Sequence, residues 1–158
     1  MTPQALMAQA IAVAREGFTV AGELPIGAAV ASGDDIVASA HTQERTQRRR
    51  RLVHAELLAL IEADRGLPDL RLATTVEPCP MCFGAALNLG VKEIYFGLAS
   101  PTDGITQAFT AQALAALPFY RPVEITGGVL IGQCRELFEQ YCQSAPEGGM
   151  KDWALTIL

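Results

Sequence analysis

Apolar positions recur at Leu6, Ala10, Val13 and Ala14 in the first stretch of the chain. That is helical spacing, and Thr2-Pro3 reads as an N-cap with proline in the first turn. Gly17 is the expected stop. The period then changes. The apolar end of Glu23-Leu24-Pro25-Ile26-Gly27-Ala28-Ala29-Val30 reads as a strand, Ser32-Gly33-Asp34-Asp35 as a turn, and Ile36-Val37-Ala38 as a second strand, giving a hairpin. Residues 40–53 are loop-like. Leu57, Leu58, Leu60 and Ile61 restore helical spacing from His54 onward, and Gly66 with Pro68 closes that helix. Leu70 to Val76 reads as a strand, Cys79 to Leu89 as a helix stopped by Gly90, and Val91 to Gly97 as another strand. Residues 98–107 look like loop and Ala108 to Leu117 like helix. Val123 to Thr126 is a short strand, and Cys134, Leu137, Phe138 and Tyr141 mark an amphipathic helix. Strand–helix–strand alternation predicts parallel pairing and an α/β architecture.

Composition fits one domain over residues 1–158, with 50% hydrophobic and 18% charged residues and no sign of disorder. A net charge of −5 argues against a broad nucleic-acid footprint, so nucleic acid is not the favoured partner. Apolar runs stop well short of the ~20 residues a membrane span needs, so no membrane association is expected. Met1-Thr2-Pro3-Gln4 lacks the basic start of a signal peptide. Of four cysteines, two form a Cys-x-x-Cys, which suits a reducing compartment, and a cytoplasmic location is expected. The apolar tail 145–158, with Trp153, has three readings: core cover, a lid over an active site, or a subunit interface.

The chemistry concentrates in His54-Ala55-Glu56 and Pro78-Cys79-Pro80-Met81-Cys82. Imidazole and two thiolates are three zinc ligands, and a catalytic zinc keeps its fourth position open. A structural site takes four protein ligands, and no further ligand pair follows. Cys134 and Cys142, eight apart on a later helix, read as buried thiols. His54 and Glu56 fall in the first turn of a helix, as do Cys79 and Cys82 in the next, where free N–H groups and the macrodipole favour negative charge and thiolate. Gly27 and Ala28 are small, which fits either close packing or close approach of a flat ligand to the backbone. Arg45 and Arg48-Arg49-Arg50-Arg51 read first as a solvated face, with an anionic contact as the sharper alternative. His41 reads as a surface residue.

His-x-Glu followed by Pro-Cys-x-x-Cys is the zinc deaminase signature. With Glu23-Leu24-Pro25-Ile26-Gly27-Ala28 before it and Phe83-Gly84-Ala85-Ala86 after it, the chain resembles the cytidine deaminase-like superfamily over roughly residues 5–140. It looks like the branch of tRNA adenosine, guanine and fungal-type cytosine deaminases. The resemblance implies a three-layer α/β/α fold on a central mixed five-stranded sheet, a homodimer, and one zinc per chain on His54, Cys79 and Cys82. It implies Glu56 as the acid/base and Ala55 N–H as a substrate contact. Glu77, just before Pro78, is expected to contribute backbone contacts to the substrate, the alternative for its side chain being a plain strand-end charge; Trp153 is faintly like the aromatic tail that covers the site in cytosine deaminases. The family's substrate-binding asparagine falls here on Thr42 or Gln43, depending on the gap. Ser100 and Thr102 stand where tRNA enzymes carry Asp and Lys, and their basic C-terminal helix is replaced by the apolar tail. These departures weigh against tRNA.

The expected reaction is hydrolytic deamination of a small amino-substituted N-heterocycle, a nucleobase or nucleoside, with release of ammonia. Zinc would activate water, and Glu56 would move its proton to the ring and then to the leaving group. The alternative is a tRNA-specific adenosine-to-inosine deaminase. An inactive zinc-stabilised scaffold ranks last, because Glu56 is present.

Overall fold

In a computed structural model the described residues are 1–47, 50–106 and 108–158. Helix α1 (Pro3–Ala21) leads into a hairpin of β1 (Gly27–Ser32) and β2 (Asp35–His41). Then follow α2 (Ala55–Ala63), β3 (Leu70–Val76), α3 (Pro80–Leu89), β4 (Glu93–Leu98), α4 (Ala111–Ala115), β5 (Glu124–Gly127), α5 (Ile131–Ser144) and α6 (Gly149–Ile157). The sheet has five strands in the order β2-β1-β3-β4-β5. β1 is antiparallel to both β2 and β3, whereas β3–β4 and β4–β5 are parallel, so the sheet is mixed as expected.

Both faces of the central strands are buried, which is why they read as continuous apolar runs. On β1, Ala29 and Ala31 face one cluster with Leu6, Met7, Ala10, Phe138 and Tyr141 of α1 and α5. Ala28 and Val30 face the other, with Ala59, Leu60, Phe83 and Ala86 of α2 and α3. Helices on both faces of one sheet make a three-layer α/β/α fold.

Three boundaries differ from the sequence reading. Gly17 does not stop α1; it is buried inside the helix because a Cβ there would lie 2.5 Å from the His41 ring. His41 is accordingly part-buried against α1 rather than a plain surface residue. The stop is Gly22, at φ 65°, whose N–H bonds back to Gly17 and Phe18 carbonyls. The stretch 108–117 yields only α4, capped by Thr110 and with no buried residue to lengthen it. Cys134 is fully buried, as expected, but Cys142 is only half-buried.

Candidate active site

The ends of several strands meet at one edge of the sheet. β1 starts there and β2, β3 and β4 finish there, because Gly27 pairs with His41 and Ala28 with Thr74, while Val76 pairs with Leu98. A cleft of about 270 Å³ lies at this edge. Ligands in α/β sheets commonly lie outside the carboxyl ends of strands. Leu24, Ile26, Val76, Met150 and Trp153 give it apolar walls; Thr42, Glu44, His54, Glu56, Glu77, Cys79 and Asp103 give it polar groups.

Two helices begin at this cleft. His54 is the N-cap of α2 and Cys79 the N-cap of α3, yet neither side chain caps its own helix. His54 Nδ1 lies 3.5 Å from Cys82 Sγ and 3.6 Å from Cys79 Sγ. The three ligand atoms all lie within 4.8 Å of one another. Tetrahedral zinc, with bonds of about 2.0–2.1 Å to nitrogen and 2.3 Å to sulfur, needs N···S separations of about 3.5–3.6 Å. The separations of His54 from the two thiols therefore match those of a zinc ion held by all three residues.

Proton chemistry agrees. The Cys82 thiol donates toward Cys79 and, with His54 beside it, holds Cys79 down to about 4. Cys82 itself is pushed far up by that same bond and by burial. Cys79 first, and Glu44 second, raise His54 to about 10. His54, Cys79 and Cys82 would hold a cation in place of the protons they share.

Glu56 follows two residues after His54 and is 4% exposed. Burial raises its carboxyl to about 7, although His54 and the backbone N–H at the start of α2 pull the other way. Its Oε2 has no hydrogen-bond partner within the protein. A buried carboxyl with one free oxygen and a pKa near neutrality is suited to carrying protons for a reacting molecule.

Two further buried glutamates act as staples for the loops around the cleft. Glu23, fully buried, accepts from Arg45 N at 3.0 Å, Thr46 N at 2.6 Å and Thr46 Oγ1 at 2.8 Å, which fixes the β2–α2 loop. Glu77 accepts from Ser100 N at 2.9 Å and Thr106 N at 2.8 Å, and also from the Thr106 hydroxyl, which fixes the loop after β4. Both Glu77 oxygens are thus occupied by the protein's own donors.

Thr42, Ala55, Glu77 and Trp153 line the cleft, together with His54, Glu56 and Cys79, and Cys82 lies directly behind. Gly27, Ala28 and Gln43 do not reach it. A Cβ on Gly27 would sit 2.7 Å from Ala14 N, so this glycine lets α1 approach β1. Ala28 belongs to the α2/α3 core. Gln43 turns toward a groove beside His41 and Glu62, with its amide bonded to Gln47 at 2.7 Å. Thr42, not Gln43, therefore occupies the polar position facing the cleft. Sequence reasoning missed Glu44, Asp103 and Met150, which come from loops and a late helix with no local motif. Arg50 and Arg51 are exposed; Arg48 and Arg49 of the basic run lie outside the described residues.

The family model described as "Cytidine and deoxycytidylate deaminase zinc-binding region" matches residues 1–98. The chain belongs to this zinc-binding deaminase family. A tRNA-specific adenosine deaminase of Bacillus subtilis (strain 168) is 36% identical over 118 residues, 72% of this chain and 72% of its own. A cytosine deaminase of Candida albicans (strain SC5314 / ATCC MYA-2876) is 40% identical over 81 residues, 48% of this chain and 53% of its own. The solved guanine deaminase of Nitrosomonas europaea superposes with a TM-score of 0.71 at 26% identity, covering 89% of this chain and 84% of that one. Zinc is the metal of this deaminase family, and His54, Cys79 and Cys82 are the group that could hold it. No helix among the described residues is long and apolar enough to cross a membrane.

Proposed function

We propose that this deaminase acts on a small, unphosphorylated amino-substituted N-heterocycle, a nucleobase or nucleoside, and releases ammonia by hydrolysis. The observation that carries this reading is the size and charge of the cleft. At about 270 Å³ it falls just below the ~300–1,000 Å³ of pockets for drug-sized ligands. Gly149, Met150 and Trp153 of the C-terminal segment close one side of it. Among the described residues that line it there is no Lys or Arg, while Glu44, Glu56, Glu77 and Asp103 are all acidic. A phosphate would find no Lys or Arg to hold it there, whereas proteins that hold nucleic acid present cations to the backbone.

His54, Cys79 and Cys82 would hold the zinc, which as a Lewis acid makes water nucleophilic at neutral pH. Glu56 takes the proton from the attacking water. It delivers that proton to the ring nitrogen next to the amino-bearing carbon, then takes the remaining proton from the newly added hydroxyl and hands it to the departing nitrogen as the C–N bond breaks and the carbonyl forms. Thr42 Oγ1 donates to Val53 O at 3.2 Å, so its lone pairs are left to accept an N–H from the substrate. The Ala55 N–H, at the start of α2, donates to a ring nitrogen or carbonyl of the substrate; its place in the cleft lining supports this. Trp153 covers the ring face.

A second reading, adenosine-to-inosine editing in tRNA, is favoured by the likeness to the tRNA-specific adenosine deaminase of Bacillus subtilis. Comparing a nucleoside with its 5′-monophosphate separates the two. The small-molecule reading expects kcat/KM to fall at least tenfold on phosphorylation and to vary little with salt. Activity confined to RNA, weakening steeply with salt, would support the second. A homodimer is part of the proposal, supported by the exposed apolar side chains of Leu52 and Ile61, 66% and 65% accessible.

A further inference from the structure

We propose that Glu44 is the positioning residue for the metal-ligating histidine. Its carboxylate would hold the His54 ring with Nε2 protonated and Nδ1 free to ligate. The inference rests on the zinc reading above and concerns a residue that no sequence motif marks. Glu44 Oε1 lies 3.3 Å from His54 Nε2, on the side of the ring opposite the two thiols. An imidazole that ligates through one nitrogen needs its proton on the other, and an acceptor opposite the metal fixes both tautomer and ring orientation. Glu44 is the acceptor present on that side.

The loop around Glu44 is built to keep it there. Before it, Thr42 N donates to Ile26 O, at the entry to β1, and Gln43 N donates to Val53 O, the residue that precedes His54, each at 3.0 Å. After it, Arg45 N and Thr46 N both end on the fully buried carboxylate of Glu23. Gln47 N closes the turn on Gln43 O at 2.9 Å. A surface glutamate with no role would not need its backbone fixed on both sides. The Glu44 and His54 side chains are 26% and 28% accessible, sheltered enough for the bond to matter and open enough for Glu44 to be replaced without a buried gap.

The test is zinc affinity, measured by chelator competition on wild type, Glu44→Ala and Glu44→Gln. Cobalt-substituted spectra and thermal melts of the same proteins accompany it. Loss of an outer carboxylate typically weakens metal binding about 10–100-fold. Glu44→Ala should show that loss and an altered cobalt visible band. Glu44→Gln, whose amide oxygen still accepts from Nε2, should recover most of it. An unchanged zinc Kd in Glu44→Ala would overturn the proposal, and a lowered melt with unchanged Kd would assign Glu44 to loop stability instead. Wild type that binds no zinc would overturn the metal reading itself, a result distinct from either.

Discussion

Glu56 carries the account at the residue scale. Its burial, its unpartnered oxygen and its elevated pKa of about 7 are three aspects of one placement, the first turn of a helix that opens into the cleft. Acid–base catalysis of this kind contributes ~10²–10⁴-fold, so Glu56→Ala should lose at least that much turnover. It should keep one zinc per chain, because His54, Cys79 and Cys82 are untouched; loss of the metal from this variant would show that Glu56 is a ligand. Gly27 illustrates the opposite case. Sequence alone left packing and ligand approach open, and the nearby Ala14 backbone decides for packing. Gly27→Ala should cost about 1–3 kcal/mol in chemical denaturation, by forcing α1 off β1. Unchanged stability would mean α1 is not seated there. Cys134 gives a pH-dependent prediction. Burial pushes its thiol up to about 12, so the reactive thiolate is scarce in the folded state below that pH. Alkylation at pH 8 should spare Cys134 in the native zinc-loaded protein and modify it after unfolding.

At the scale of elements, the strands and helices around the zinc ligands were legible because their signals are local. Helical spacing begins at His54 after a loop and at Cys79 after a strand, and Pro78 and Gly90 bracket α3. What could not be read was decided by contacts distant in sequence. Gly17 looks like a helix stop until the His41 ring occupies the space its side chain would need. The tail admitted three roles, and α6 has residues on both the core and the cleft. Ala154 and Ile157 are buried in the core while Trp153 and Met150 line the cleft. Glu44 and Asp103 sit in loops whose course depends on Glu23 and Glu77, staples with no signature in spacing. Trp153→Ala should therefore raise KM more than it lowers kcat, since it removes a wall of the cleft and no reacting group; an unaffected KM would place the substrate elsewhere. Phe83, 1% exposed and in tilted contact with the Phe109 ring at a centroid distance of 5.3 Å, anchors α3. Phe83→Ala should cost about 3–5 kcal/mol of stability.

For the whole molecule, the mixed sheet and its two helical layers serve to bring two helix N-termini and four strand ends to one place. That arrangement is common to a family whose members differ in what they deaminate, so the fold does not name the substrate. The acidic lining of the cleft and the place of α6 beside it support the proposed small unphosphorylated ring. The most direct test is ammonia release by zinc-loaded protein. The panel holds cytosine, guanine, adenine, their nucleosides and an adenosine-bearing tRNA anticodon stem-loop, with Glu56→Ala as control. The account predicts turnover of a free base or nucleoside that vanishes in Glu56→Ala. Silence on every small molecule, with inosine appearing in the stem-loop, would contradict it.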